Sequence, residues 1–185
     1  LDEAEAAQLI QALDGEPPLY RTAVLLLLNT GLRRGELCAL QWSDLDFEKG
    51  TLQVRQSATY LAGQGVVVDT PKTHASARVI RLPASCIPML RQYRAAQLEA
   101  RLSVGDQWED NDFVFATWNG KALRPDTLTK WFRKFIDRNG LPPITLHGLR
   151  HTNATLLIAA GINLRTVSGR LGHSRAATTA NIYAH

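Results

Sequence analysis

The fold of the chain is decided by residues 145–185, which read TLHGLRHTNATLLIAAGINLRTVSGRLGHSRAATTANIYAH. This stretch holds four of the five histidines of the chain and a tyrosine two positions before the last residue. A helix turns by about 100° per residue, so a helix over residues 147–160 places His147, Arg150 and His151 on one face and leucines on the opposite face. The pattern predicts a helix with one face in the core and one face open for chemistry.

Two more short helices are predicted after the first one. The first helix is expected to end at Gly161, the second to span residues 163–171, and the third to span residues 174–183. Glycines at the helix ends allow the three helices to fold back on one another. His173 and Tyr183 can then approach the histidine and the arginine of the first helix, although they are more than twenty residues away in sequence.

The first turn of the leading helix is a predicted anion site. Thr145 is placed to cap this helix, so His147 and Arg150 lie where free backbone N–H groups and the helix dipole favour negative charge. We expect the anion to be a phosphate. With Tyr183 added, the residue types are a phenol nucleophile, an arginine clamp and imidazoles. Taken singly, Tyr183 and His151 fit a packed aromatic and a helix-face histidine, so the interpretation depends on the whole set.

Three other stretches carry charged residues whose role the residues alone leave open. In TGLRRGEL, residues 30–37, Arg33 and Glu36 fit a structural ion pair as well as an active pair. In TPKTHASAR, residues 70–78, Lys72 fits a solvated loop lysine. A helix that begins with Pro125 at its first position carries a basic stripe that is either solvated or bound to phosphates. This stripe contains Lys130, Arg133, Lys134 and Arg138.

Length and composition limit the class of protein. A chain of 185 residues with 45% hydrophobic content can bury one domain core. A net charge of +4 and a pI of about 9.3 permit nucleic-acid binding without establishing it. Cys38 and Cys86 indicate reduced thiols rather than a disulfide framework. No apolar run is long enough for a membrane span and no signal peptide opens the chain, so we expect a soluble cytoplasmic protein without a membrane partner.

The predicted fold class is α+β. Strand signals are confined to the middle of the chain, at residues 51–56, 65–68 and 78–82. These segments alternate in polarity or are rich in β-branched residues, and Gly50 and Gly63 precede the first two of them. Helical patterns occupy most of the remaining sequence. We therefore expect a mainly helical domain with a small three-stranded antiparallel sheet.

Four motifs together resemble the tyrosine recombinase (phage integrase) family. H-x-L-R-H, then L-G-H, then a tyrosine ten residues after that histidine, resemble the C-terminal signature of the family. TGLRRGEL resembles its first box, and P-K-T-x-x-S-x-R-x-I-x-L resembles its β-hairpin. The resemblance spans nearly the whole chain. It implies that residues 1–185 form a tyrosine recombinase catalytic fold, with the N-terminal core-binding domain of the family absent from this chain.

The resemblance also implies a role for each motif residue. The implied catalytic residues are Arg33, Lys72, His147, Arg150, His173 and Tyr183, supported by Glu36 and His151. Tyr183 would attack a scissile phosphate to form a 3′-phosphotyrosine, Arg33 and Arg150 would hold its non-bridging oxygens, and Lys72 would protonate the leaving 5′-oxygen. No metal or cofactor is implied. The implied substrate is double-stranded DNA, on which the full-length protein would assemble as a tetramer.

Other functions remain open at this point. A type IB topoisomerase runs the same chemistry, while the wording of the boxes resembles a mobile-element integrase, which acts in DNA integration and excision. A DNA-binding protein that has lost catalysis is disfavoured because all the motif residues are present. A zinc hydrolase could use His147 and His151 at i,i+4 as ligands. Gly148 stands where such a motif needs glutamate, and no third ligand is evident, so this alternative is the weakest.

Overall fold

The computed structural model describes residues 1–70 and 77–172. Lys72, His173 and Tyr183, together with the third predicted helix, lie outside the described residues. The described helices are α1 (Glu3–Ala12), α2 (Pro18–Thr30), α3 (Arg34–Cys38), α4 (Cys86–Val104), α5 (Pro125–Arg138), α6 (Leu146–Ala159) and α7 (Leu164–Leu171). The described strands are β1 (Leu45–Asp46), β2 (Thr51–Val54), β3 (Ser57–Leu61), β4 (Gly65–Asp69) and β5 (Arg78–Arg81). Short 3-10 helices lie at Trp42–Asp44 and Gly105–Gln107.

The strands form two antiparallel sheets. One has three strands in the order β1-β2-β5, with Leu52 opposite Ile80, and the other is the β3-β4 hairpin. The predicted α+β class and the three-stranded antiparallel sheet are therefore confirmed, but residues 65–68 do not belong to that sheet. They pair with β3, and β1 takes the expected place. The sequence pattern missed β3 because most of its residues are exposed and show no alternation.

Helix α2 is the centre of the core. It is apolar on every side, and it packs against α4 and α6. Leu26 and Leu27 are fully buried, and burial of such a side chain stabilises the fold by about 1.5–3 kcal/mol. The helix ends at Gly31, whose φ of 67° is the left-handed conformation that glycine adopts without strain. This rigid helix fixes α6 and the residues at its N-terminus.

The predicted N-cap of α6 and the predicted glycine end of α7 are confirmed, and α7 has an N-cap as well. The hydroxyl of Thr145 accepts a hydrogen bond from the backbone N–H of Gly148 at 3.0 Å. The side chain of Asn163 accepts one from the backbone N–H of Thr166 at 2.8 Å, and α7 ends at Gly172 with a φ of 67°. Both helices thus begin and end within two residues of the positions that the sequence indicates.

The prediction of one open face on α6 was wrong. Leu149 is buried as expected, but Arg150 and Ala154 on the opposite face are buried too. Helix α7 folds back onto this face, and its Val167 and Leu171 pack against Ala154. On this face, the exposed residue of the first turn is His147. None of the described helices is both long enough and apolar enough to cross a lipid bilayer.

Candidate active site

Arg33 caps the N-terminus of α3 and is held by the carboxylate of Glu36. The backbone N–H of Arg33 donates to Oε2 of Glu36 at 2.7 Å, and its Nη1 donates to Oε1 at 2.9 Å. The same carboxylate therefore fixes both the main chain and the guanidinium of Arg33. The Arg33 side chain is nevertheless 41% exposed, so its guanidinium can meet a ligand. The predicted ion pair of Arg33 and Glu36 is therefore present. The sequence left open whether its role is structural or catalytic.

Glu36 is buried between two arginines. Nη1 and Nη2 of Arg78 donate to Oε1 and Oε2 of Glu36 at 2.9 and 2.8 Å, which is a two-pronged contact. Burial raises the pKa of the Glu36 carboxyl, but the hydrogen bonds and charges of Arg78 and Arg33 outweigh burial and hold the pKa below its ordinary value. Glu36 is thus ionised at neutral pH. Arg78 was not predicted as a site residue, although it stands within the quoted hairpin pattern.

Arg150 projects from the first turns of α6 and is almost fully buried, with 3% of its surface exposed. Its Nη1 donates to the carbonyl oxygen of Gly31 at 2.6 Å, and its Nη2 donates to that of Leu171. These carbonyls belong to the ends of α2 and α7, where helix carbonyls lack intrahelical partners and the dipole is negative. Arg150 therefore joins three helices and stabilises two helix ends.

The crossing point of these helices requires glycine at position 31. A Cβ atom there would lie 2.6 Å from Cδ2 of Leu171 and 2.9 Å from Oδ1 of Asn153. Asn153 is itself fixed, because its Nδ2 donates to the carbonyl oxygen of Leu28 at 2.8 Å. Since Arg150 bonds to Gly31, the close approach of α2, α6 and α7 determines where its guanidinium lies.

Three arginines converge on the end of α7 and donate to three consecutive carbonyl oxygens. Nε of Arg78 donates to residue 170 at 2.7 Å, Nη2 of Arg150 donates to residue 171, and Nη2 of Arg33 donates to residue 172 at 3.5 Å. The three come from β5, α6 and the start of α3, which are far apart in the chain. The structure thus concentrates positive charge immediately before His173.

His147 lies beside this charge, on the exposed first turn of α6. Partial burial and the positive charges of His151, Arg150 and Arg33 lower the pKa of His147 below its ordinary value. Its ring contacts that of His151 nearly at right angles, with 4.9 Å between the ring centroids. A neutral imidazole at this position can accept a proton at neutral pH. The structure therefore brings Arg33, His147 and Arg150 together, with Glu36 and His151 next to them.

The basic stripe lies on the exposed face of α5. Its predicted member Arg138 pairs with Glu16. Among the described residues, no carboxylate is within ion-pair distance of its other three members, which are Lys130, Arg133 and Lys134. Helix α5 adjoins the site because Arg34, next to Arg33, donates to Oγ1 of Thr129 at 2.7 Å. Arg124 extends the basic surface and stacks 3.4 Å above the ring centroid of Tyr60 in the β3-β4 hairpin. Sequence patterns gave no signal for Arg34 or Arg124, since neither lies on the predicted stripe.

The zinc alternative gains no support from the geometry. His147 and His151 are adjacent on α6, but within residues 1–70 and 77–172 no third histidine, cysteine, aspartate or glutamate joins them in a cluster that could hold a metal ion. A tetrahedral zinc site uses at least three protein ligands. Arg150 and Arg33 also lie close enough to His147 to lower its pKa, and their positive charges repel a cation.

Comparisons with known proteins agree on one family. The sequence pattern that defines the phage integrase family matches residues 1–185. The chain is 37% identical to a tyrosine recombinase XerC-like protein of Caldanaerobacter subterraneus over 99% of this chain and 49% of the relative. It is 33% identical to the ICEBs1 integrase of Bacillus subtilis, over 98% of this chain and 49% of the relative.

A solved structure with the same fold is that of the Tn1549 transposon integrase in complex with transposon right end DNA. The TM-score is 0.87 at 26% sequence identity, and the match covers 100% of this chain and 61% of that one. The chain thus spans about half the length of the curated relatives it matches.

Proposed function

This chain belongs to the phage integrase family, and on that premise we propose that it is the catalytic part of a site-specific DNA recombinase. The enzyme cleaves and rejoins DNA strands through a 3′-phosphotyrosine, in the integration or excision of a mobile element. DNA as the substrate is supported by the transposon integrase of the same fold, which was solved in complex with DNA. Residues 1–185 are proposed to act as one catalytic domain.

The observation that carries the proposal is the convergence of Arg33 and Arg150 beside His147. Transfer of a phosphoryl group concentrates negative charge on the non-bridging oxygens, and fixed cations stabilise that charge without reorganising. Arg33 is exposed enough to bond to these oxygens, whereas Arg150 supplies a positive charge from a buried position where water screens it little. The two guanidinium groups thus perform the charge stabilisation that many phosphoryl-transfer enzymes assign to metal ions.

The proton transfers are assigned to His147 and Lys72. In the forward step the phenol oxygen of Tyr183 bonds to phosphorus, the bond to the 5′-oxygen breaks, and the phenol proton passes to neutral His147. Lys72 gives a proton to the departing 5′-oxygen, and His173 donates a hydrogen bond to the phosphate. The roles of Lys72, His173 and Tyr183 are carried over by their motifs. An incoming 5′-hydroxyl reverses these steps, so the energy of the broken bond is retained and no cofactor is consumed.

The unpaired basic face of α5 is proposed to lie along the DNA backbone. Lysine and arginine side chains without carboxylate partners can release counterions from phosphates, which makes binding steeply dependent on salt. Arg34 and Arg124, which both pair with Asp126, continue this surface from α3 to the β3-β4 hairpin. Recombination joins four strand ends, and we propose that the whole protein assembles as a tetramer on DNA for this step.

Covalent trapping tests the proposed function. The 185-residue chain is mixed with a pool of nicked duplexes of random sequence in the presence of EDTA; cleavage beside a nick releases a short strand, so religation is blocked. We expect a protein–DNA adduct that survives denaturation and maps to Tyr183. Tyr183→Phe removes only the nucleophilic oxygen, so this variant should bind DNA equally well and form no adduct. An adduct in the variant, or none with the wild-type chain, would contradict the proposal.

A further inference from the structure

Arg78 makes three directed contacts with the described residues from a buried position. Its side chain is only 6% exposed, two of its nitrogens hold both oxygens of Glu36, and its Nε holds the carbonyl oxygen of Arg170. A guanidinium has a planar fork that suits such simultaneous bonds, and a lysine ammonium does not. Arg78 therefore determines both the orientation of the Glu36 carboxylate and the distance from β5 to the end of α7.

The orientation of Glu36 in turn determines that of Arg33. Oε1 of Glu36 is shared by Nη1 of Arg33 and Nη1 of Arg78, and Oε2 is shared by the backbone N–H of Arg33 and Nη2 of Arg78. The guanidinium of Arg33 has one other described contact, the long hydrogen bond to Gly172. Without Arg78, the carboxylate could rotate and take the Arg33 guanidinium with it.

The balance of charge around Glu36 also points to Arg78 as a support for Arg33. Glu36 carries one negative charge, and Arg33 and Arg78 carry one positive charge each, so the trio has an excess of one positive charge. Because Arg78 neutralises Glu36, the charge of Arg33 remains available to a phosphate. If Arg78 were neutral, Glu36 would cancel Arg33 at a distance of 2.9 Å, where an ion pair is strong.

We infer that Arg78 is a positioning residue for strand cleavage, which orients Arg33 through Glu36 and keeps the charge of Arg33 available to the scissile phosphate. This inference rests on the proposed function, because it names the support of one of its catalytic groups. Its described contacts are with Glu36 and with the carbonyl oxygen of Arg170, so the inference gives it a supporting role. Its contribution differs from simple stabilisation, since it acts on the direction and the charge of Arg33.

The first test needs no cleavage activity. His147 senses the charge of Arg33, together with those of His151 and Arg150, so its ring is titrated by NMR in the free chain. We expect Arg78→Gln to raise the pKa of His147, as Arg33→Gln does, because Glu36 then cancels the charge of Arg33. Arg55→Gln is the matched control, since Arg55 also pairs with a buried carboxylate, that of Asp44. An unchanged pKa of His147 in folded Arg78→Gln would overturn the inference.

The second test measures the reaction on a nicked duplex recovered from the trapping experiment. Arg78→Gln should slow adduct formation by about 10- to 100-fold, the range seen when the support of an active group is removed, while DNA affinity stays unchanged. Arg78→Lys keeps a charge for Glu36 and loses the fork, so it serves if Arg78→Gln does not fold; it should retain the pKa of His147 but slow adduct formation. Wild-type rates in both variants would overturn the inference. No adduct with the wild-type chain would reject the proposed function instead, and the titration would still decide whether Arg78 controls Arg33.

Discussion

Two buried carboxylates in this molecule, those of Glu36 and Asp44, cap the N-termini of short helices in the same way. Each is the third residue of its helix and accepts the backbone N–H of the residue before the helix, which is Arg33 at 2.7 Å and Gln41 at 2.9 Å. Each side chain is 3% exposed. Each also pairs with an arginine, because a buried carboxylate without a cation is costly. As elements of local structure the two are equivalent.

They differ in how many arginines they hold. Asp44 pairs with Arg55 alone, whose side chain is 43% exposed, and the pair is neutral. Glu36 holds the buried Arg78 and also Arg33, which leaves one positive charge in excess. One arginine is enough to stabilise such a carboxylate, as Asp44 shows. The second arginine at Glu36 is therefore better explained by function than by stability, since it presents a cation next to Arg150 and His147.

The largest difference is expected in stability when each carboxylate is neutralised. Glu36→Gln removes the counter-charge that Glu36 gives to the buried Arg78, and breaking a buried pair from one side costs about 3–5 kcal/mol in the free energy of unfolding. Asp44→Asn should cost about 1–2 kcal/mol, because Arg55 can turn into water. Urea unfolding of the two variants measures both values. Equal losses would mean that the second arginine at Glu36 does not alter its environment.

Sequence patterns predicted features of α6 and α7 that depend on residues close together in the chain. The cap at Thr145 and the glycine ends of α6 and α7 follow from backbone geometry within a few residues, and all are present. The membership of the family is confirmed by the match over residues 1–185. The catalytic roles of the motif residues are predictions that the trapping and mutational experiments address.

Other features depend on contacts that are distant in sequence. Which arginine pairs with Glu36 is decided by where β5 lies against α3, and helical or strand periodicity carries no such information. The burial of Arg150 follows from the fold-back of α7, and the pairing of residues 65–68 with β3 follows from a hairpin of weak alternation. Both were predicted wrongly because a face or a strand was assigned from its own residues alone.

The second expected effect is smaller and concerns catalysis. It compares Arg33 with Arg55, the partly exposed arginine partners of Glu36 and Asp44. Arg33→Ala should slow adduct formation by about 10²- to 10³-fold, the cost of removing one donor to a developing oxyanion. Its free energy of unfolding should fall by less than about 1 kcal/mol, because Arg33 is partly exposed and Glu36 keeps Arg78. Arg55→Ala should leave the rate unchanged. The measurement is single-turnover adduct formation on a trapped duplex, and a comparable loss of rate in both variants would contradict a special role for the Glu36 trio.

The smallest effect concerns pH, and it follows from the excess charge beside His147. Partial burial and the charges of His151, Arg150 and Arg33 lower the pKa of His147, so its neutral form persists to a lower pH than in an ordinary histidine. If His147 accepts the proton of Tyr183, the rate of adduct formation should fall only below the ordinary histidine value of 6.5. The stability of the fold depends on pH in the same direction. As pH falls, the unfolded chain takes up the His147 proton before the folded chain does. The contribution of His147 to the free energy of unfolding is therefore complete above the ordinary pKa and is lost as pH falls through the lowered pKa.

Removal of one of these charges should shift the acidic limb of the rate–pH profile to higher pH. His151→Gln takes away the imidazole whose centroid lies 4.9 Å from that of His147, so the pKa of His147 rises and the limb moves to higher pH. Arg55→Gln should leave the limb in place, because neither Arg55 nor Asp44 is among the groups that shift the pKa of His147. Rate–pH profiles of adduct formation and NMR titration of the His147 ring should give the same order of variants. A limb that moves in neither variant, while the ring titration does shift in His151→Gln, would assign the acidic limb to another group and leave His147 as a hydrogen-bond donor to the phosphate.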